Sequence, residues 1–346
     1  LQQACDNLQP MPDRHSSEPI HDDQNELLLS FWAFGDLHYR ARKKWQAVHM
    51  PRMKVMFEDL QTVWQLEGTP TFCVSPGDIV NNGGLANYEL AKRDLRTQLG
   101  EILFYPGIGN HEFLPDGEND GIHGAEEFCA AWEKPVRYTW ISGEVLCIML
   151  DHPDPFSPDR REPVAHILFS DETLAFLEAS LASHPNWLAL IFAHCPLRDT
   201  VLDRDPECNL DDDSQDRSFF VENSRDVRAI LAHHRNAGLY ISGHTHSGWG
   251  SPQLVFTETL GGHPVTHINL MSPWYTGRHH GPRRNAQNTF EYSPDDPDVL
   301  ASFAIRVYRH YAHIRVRDHR TRTWLRQWEV PLQRVSEEDD EGSISR

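Results

Sequence analysis

The chain lacks any long apolar run: the longest are Trp187 to Ala193 and Val145 to Leu150, far short of the roughly 20 residues that span a bilayer. A membrane-spanning helix is excluded. Its six cysteines form no C-x-x-C pair, so neither a zinc ribbon nor a thioredoxin-type redox motif is present. Asn-x-Ser/Thr acceptors are also missing. Positive charge is in short supply, with 32 Lys and Arg against 51 Asp and Glu and a net charge of −19. Nucleic acid as the main partner is thereby disfavoured, because phosphate-backbone binding needs a basic surface that releases counterions.

What is present is ordinary globular material, 346 residues with 39% hydrophobic and 10% aromatic side chains. Asp13 to Glu26, Asp203 to Asp216, Asp295 to Asp298 and Glu337 to Glu341 carry −4, −6, −3 and −5, which leaves the remainder close to neutral. Such runs mark solvated tails and loops. Residues 1–25 and 334–346 read as poorly ordered tails around a single domain over 26–333, with loop insertions near 115–127, 153–166, 203–220 and 276–298. Cys73 and Cys147 fall inside apolar strand-like runs, where a free thiol is a small core hydrophobe. That favours a reducing, cytoplasmic setting, with a processed secreted form left open because the sequence opens at Leu1.

Short β-rich runs alternate with helical periodicity. Strands are predicted at 28–34, 71–75, 102–106, 138–142, 145–151, 187–193 and 238–242. Between them lie a helix over 51–66 with Pro51 in its first turn, a helix carrying Tyr88, Ala91, Leu95 and Leu99, one capped by Ser170, and one over 224–234. The remainder is strand-rich, with candidates at 254–260, 264–270, 302–309, 313–317 and 323–330. Alternating β and α units followed by strands predict an α/β domain with two sheets.

Five clusters sit just after predicted strands: Gly35-Asp36-Leu37-His38, Gly77-Asp78-Ile79-Val80-Asn81, Gly109-Asn110-His111-Glu112, Ala193-His194-Cys195-Pro196 and Gly243-His244-Thr245-His246. Loops at strand ends are where α/β scaffolds carry ligands and catalysts. Glycine before the polar residue in four of them is expected to let the chain turn sharply off the sheet. Carboxylate and imidazole together suit Mn, Fe or Zn better than all-oxygen Mg or Ca.

In these clusters and their order, D-x-H, G-D, G-N-H-E, H and G-H-x-H, the sequence resembles the calcineurin-like metallophosphoesterase superfamily over roughly residues 28–270. The resemblance implies a four-layer α/β/β/α sandwich of two mixed sheets and a dinuclear centre of two divalent or trivalent transition-metal ions. It makes Asp36, His38 and His246 ligands of the first metal, Asn110, His194 and His244 ligands of the second, and Asp78 the bridging carboxylate. His111 would face the substrate as the catalytic residue that stabilises the transition state or protonates the leaving oxygen. The chemistry has a physical motive: two cations about 3.5 to 4 Å apart neutralise a phosphate ester and supply hydroxide near neutral pH.

Asn stands at position 81 where purple acid phosphatases have tyrosine, and the arginines of phosphoprotein phosphatases are missing beside Gly77-Asp78 and Gly109. Gly-Asp-Ile-Val-Asn is closer in style to bacterial class III cyclic-nucleotide and glycerophosphodiester phosphodiesterases. Asn81 is accordingly a candidate substrate contact, or else a cap for the following helix. The expected activity is hydrolysis of a small-molecule phosphate diester, with a phosphomonoesterase or a non-catalytic metal-binding scaffold as alternatives. No membrane partner is expected, and the oligomeric state is left open. His279, His280, His310, His313 and His319 read as surface residues, His123 as a loop residue near the pocket, and Trp249, Trp274 and Tyr275 as packing or as a stacking surface for a leaving group.

Overall fold

The computed structural model describes residues 26–115, 124–154, 167–201, 219–248, 251, 253–273, 283–284, 290–291 and 299–333. Both tails, the acidic run at 203–216 and the residues Cys5, His123, Cys208, Trp249, Trp274, Tyr275, His279 and His280 lie outside these.

Two six-stranded mixed sheets face one another. The first contains β1 (Leu27–Ala33), β2 (Phe72–Ser75), β3 (Leu103–Pro106), β12 (Ala301–Tyr308), β13 (Tyr311–Asp318) and β14 (Thr323–Pro331), in the order β14-β13-β12-β1-β2-β3. The second contains β4 (Tyr138–Ser142), β5 (Val145–Met149), β6 (Leu188–Phe192), β7 (Ala237–Ser242), β8 (Val255–Leu260) and β9 (His263–Asn269), ordered β4-β5-β6-β7-β9-β8. β1, β2 and β3 run parallel in one sheet, and β5, β6, β7 and β9 in the other. A two-stranded ribbon, β10 (Arg283–Arg284) and β11 (Phe290–Glu291), lies within the stretch predicted as a loop at 276–298.

The uninterrupted apolar strands follow from burial on both faces, which removes any need for polar alternation. In β1, Phe31 and Ala33 enter the core between the sheets while Trp32 and Phe34 enter the core beneath the helices. In β6, Leu188, Leu190 and Phe192 face the sheets' shared core, and Ala189 and Ile191 face outward. Phe31 stacks on Phe72 at 5.1 Å and meets Phe192 edge-on at 5.8 Å, which ties the sheets together. Truncating such a ring to alanine typically costs about 3–5 kcal/mol.

Helices α1 (Lys43–Glu67), α2 (Leu85–Leu99) and α3 (Ala125–Trp132) cover the first sheet; α4 (Asp171–Ser183) and α5 (Ser224–His233) cover the second. The result is the four-layer α/β/β/α sandwich. Met56, Leu60, Val63 and Trp64 of α1 and Tyr88, Ala91, Leu95 and Leu99 of α2 are all buried, as the periodicity predicts. Ser170 caps α4 by accepting from the Thr173 N–H.

Three local expectations are corrected. α1 begins at Lys43, so Pro51 lies inside the helix rather than in its first turn. Proline there removes one i→i−4 bond, and the apolar face from Met53 to Trp64, buried on the first sheet, outweighs it. α3 starts within the 115–127 stretch read as a loop, and its Phe128 is wholly buried. His319 is not a surface residue. It lies buried with Nδ1 at 2.9 Å from Asp59 Oδ2 and Nε2 at 2.6 Å from Ser302 Oγ, which also accepts from Trp32 Nε1 at 2.6 Å. Arg317 adds a bidentate pair to Asp59 at 2.8 Å, so one network pins α1 to β12 and β13.

Candidate metal centre

The parallel strands deliver their C-terminal ends to one edge of the sandwich. Asp36 and His38 follow β1, Asp78 follows β2, Asn110 and His111 follow β3, His194 follows β6, and His244 and His246 follow β7. Backbone hydrogen bonds between neighbouring loops fix these exits, among them His38 N–H to Asp78 C=O at 2.9 Å and Gly243 N–H to His194 C=O at 2.9 Å.

After β1, β2 and β7 the polar residues themselves make the turn. His38, Asp78, His244 and His246 have φ of 50°, 52°, 70° and 50°, left-handed values that cost side-chain-bearing residues of order 1–3 kcal/mol each. The preceding glycines serve a further purpose: besides the positive φ of 158° at Gly77, they leave room for close packing. An added Cβ would lie 2.6 Å from Met271 O at Gly35, 2.6 Å from His194 Nδ1 at Gly77, 2.3 Å from Asp78 Oδ1 at Gly109 and 2.5 Å from Asp36 Oδ2 at Gly243. Glycine is required because these loops pack directly against one another, at Gly77, Gly109 and Gly243 against a donor residue and at Gly35 against the Met271 backbone.

Seven donor residues converge. His38 Nε2 is 3.0 Å from His246 Nε2, and His246 Nε2 is 3.4 Å from Asp36 Oδ1. His194 Nε2 is 3.0 Å from Asn110 Oδ1, 3.1 Å from His244 Nδ1 and 3.3 Å from Asp78 Oδ2. Asp78 Oδ2 also lies 3.9 Å from His38 Nε2, and Asp36 Oδ1 lies 3.9 Å from His194 Nε2. Both aspartates thus face histidines of both groups.

These separations fit metal ligation. With bonds of about 2.1 Å, neighbouring donors on one ion lie roughly 3.0 to 3.4 Å apart for octahedral to tetrahedral angles. Asp36, His38, Asp78 and His246 form one cluster able to hold an ion, and His194, Cys195 and His244 form a second. Cys195 belongs to the apolar core beneath β6, where burial pushes its thiol well up. The Asn110 Oδ1, 3.0 Å from His194 Nε2, lies beside this second cluster. Together the two clusters are positioned to ligate two metal ions.

The electrostatics agree. Burial raises Asp36 and Asp78, but their histidine neighbours, His246 and His194 foremost, hold both carboxyls below the usual range. Burial lowers His194, yet Asp78 and Asp36 push it up to about 9. This point in the fold draws positive charge, as a cation site must.

The surrounding residues position the donors. The buried Glu112 accepts backbone N–H bonds from Asp78 at 3.1 Å, Val80 at 3.1 Å and Gly109 at 2.7 Å. Burial and the Asp78 charge push its carboxyl up to about 8, against the pull of those amides. His244 N–H donates to both Asp36 oxygens at 3.0 and 3.2 Å, and Ser272 Oγ donates to the Asp36 carbonyl at 2.7 Å. Asn269 Nδ2 donates to Gly243 O at 2.7 Å while its Oδ1 accepts from Thr245 at 2.8 Å. Glu112 stands within the third cluster but had no assigned role. Ser272 and Asn269 follow or end β9, and only their adjacency to β7 reveals them.

His111 Nδ1 lies 2.7 Å from the Asn81 carbonyl, which can only accept, so Nδ1 carries the proton. Its Nε2, 3.9 Å from Asp78 Oδ2, is on a side chain 29% exposed, more open than His38 at 3%, His194 at 0% or His246 at 15%. Asn81 does not cap α2, whose N-cap is Gly84. Its amide donates to Asn82 Oδ1 at 2.6 Å, and its main chain is what meets His111.

A four-layer sandwich that gathers two such donor clusters at the ends of its parallel strands defines a metal-dependent hydrolase. The chain belongs to the calcineurin-like phosphoesterase family, whose model matches residues 29–248. Among solved structures it is similar to a dimetal phosphatase from Danio rerio, at 14% identity and a TM-score of 0.60, covering 89% of this chain and 100% of that one. It is also similar to GAP50, the anchor in the inner membrane complex of Plasmodium, at 12% identity and a TM-score of 0.51, covering 89% and 90%. At these identities both show a shared fold alone. No curated protein matches the chain. Among the described residues no helix is long and apolar enough to cross a membrane.

Proposed function

We propose that the protein is a dinuclear metal-dependent phosphodiesterase acting on a small phosphate ester. The observation that carries this reading is the convergence of the seven donors at the spacings given above. Asp36, His38 and His246 would hold one ion, Asn110, His194 and His244 the other, with Asp78 between them. Two bound cations would neutralise phosphoryl oxygens and acidify a water to serve as nucleophile.

The chain's own residues supply the rest. Asp78 would offset the repulsion between two bound cations, and Glu112 fixes the Asp78 backbone by accepting from its N–H. His111, anchored through Nδ1–H on Asn81, presents Nε2 at the open side of the site. When protonated there it can give that proton to the leaving oxygen as the P–O bond breaks, and Asn81 beside it is a candidate substrate contact. The acidic sum of the chain works against large polyanions, whereas a small ester meets a locally positive pocket.

Phosphomonoesterase action is the second reading, and the printed name of the Danio rerio structure, a dimetal phosphatase, favours keeping it. Purified protein loaded with Mn²⁺ is expected to hydrolyse bis-p-nitrophenyl phosphate faster than p-nitrophenyl phosphate. The reverse order selects the monoesterase. Absence of both activities in protein shown to hold two metals sinks the enzyme reading.

A further inference from the structure

In the parallel set β5, β6, β7 and β9, the exits of β5 and β9 have no donor assigned above. Asp151 and His152 leave β5 at the same edge of the sandwich as His194 and His244. Asp151 is engaged elsewhere, pairing with Arg137 Nη1 at 3.1 Å and accepting from Thr173 Oγ1 at 2.8 Å. His152 is 4% exposed, and its ring centroid lies 5.5 Å from that of His194 and 6.3 Å from that of His244.

The tautomer of His152 is fixed by one contact. Nδ1 lies 2.6 Å from the Pro153 carbonyl oxygen, which only accepts, so Nδ1 carries the proton and donates. Nε2 is then a bare lone pair, and it is buried with no hydrogen-bond partner among the described residues. A buried acceptor without a donor costs about 1–3 kcal/mol, a cost that a bound water donating to Nε2 would offset. His194 and His244 have their centroids 4.9 Å apart, and His152 stands beside that pair rather than within it, next to the place where a water on an ion held by them would lie.

We propose that His152 is a further residue of the second metal position, its Nε2 lone pair accepting a hydrogen bond from a water coordinated there. The assignment rests on the dinuclear reading of the site. Nearby outer residues that orient metal ligands typically contribute 10–100-fold in metal affinity, so His152 is a positioning residue that sets occupancy of one metal position and not the other.

Two variants separate this role from a structural one. His152→Asn keeps a donor for the Pro153 carbonyl but removes the acceptor at the far end of the ring; His152→Gln keeps a polar acceptor near the Nε2 position. Metal-free full-length protein is titrated with Co²⁺, reading the visible absorption of each step and the metal content by mass spectrometry. The expected result is an unchanged first step and a second step weakened about 10–100-fold in His152→Asn, with partial recovery in His152→Gln. If His152→Asn binds two Co²⁺ with the wild-type constants and spectrum, the proposal is overturned. Wild-type protein that binds fewer than two ions would instead overturn the dinuclear reading beneath it.

Discussion

Gly109→Ala tests the packing of the site with the smallest possible change. Gly109 is buried and its backbone is not left-handed, so alanine brings a collision without backbone strain. The added Cβ would sit 2.3 Å from Asp78 Oδ1, 2.7 Å from Asp78 N and 2.9 Å from His194 Cδ2. Restoring ordinary contact requires a shift of about 1 Å in a carboxylate that faces both clusters, and a misplacement of that size can cost about 100-fold in rate. Overpacking should remove about 1–3 kcal/mol of stability as well. The control is Gly68→Ala at the C-terminal end of α1, where φ is 99° and nothing lies within 4 Å of an added Cβ. It should lose about 1–3 kcal/mol through backbone strain alone, since ψ of 146° puts it in a region kept by glycine, and leave turnover untouched. The assay is kcat/KM on bis-p-nitrophenyl phosphate beside metal content and urea midpoint. Gly109→Ala protein that keeps both metals and more than about a third of the wild-type kcat/KM would refute the tight packing inferred between the Gly109 and Asp78 loops.

Two further outcomes are expected. Asp78→Asn removes the charge that faces both clusters and should abolish activity while weakening both metals, read by metal analysis after dialysis; retention of two metals with activity removes Asp78 from the bridging position. The Asp59–His319 network should lose stability in acid. Burial raises Asp59 first, but Arg317 and His319 hold it below its ordinary value, so its contribution is present above about pH 4 and is lost as pH falls through the folded value. Burial lowers His319, only partly offset by Asp59, so below about pH 6.5 the unfolded chain takes up a proton that the folded one refuses. Urea midpoints should therefore fall between pH 7 and 5, less steeply in His319→Gln than in the wild type. A midpoint that rises over that interval, or an identical slope in the variant, contradicts the assignment.

How much was legible in the sequence differs by residue. Donor chemistry was readable, because Asp, His and Asn behind an apolar run are local facts, and so were the strands, whose composition reflects burial on both faces. The start of α1 was not readable, since Pro51 is a stop signal by local preference and only the buried face from Met53 to Trp64 overrides it. Nor was the burial of His319, which depends on Asp59 lying 260 positions earlier in the chain.

By itself, then, the sequence determined the period of the strands, the kinds of donor atoms and their order along the chain. Tertiary structure decided which donors meet: His38 and His246 are 208 positions apart and His194 and Asn110 are 84 apart, yet each pair lies at 3.0 Å. It also decided why glycine precedes the donors, because the space refused to a Cβ is filled by a side chain or carbonyl from another loop. His152 entered only there, since a lone pair without a partner is a property of three-dimensional surroundings and leaves no trace in the order of residues.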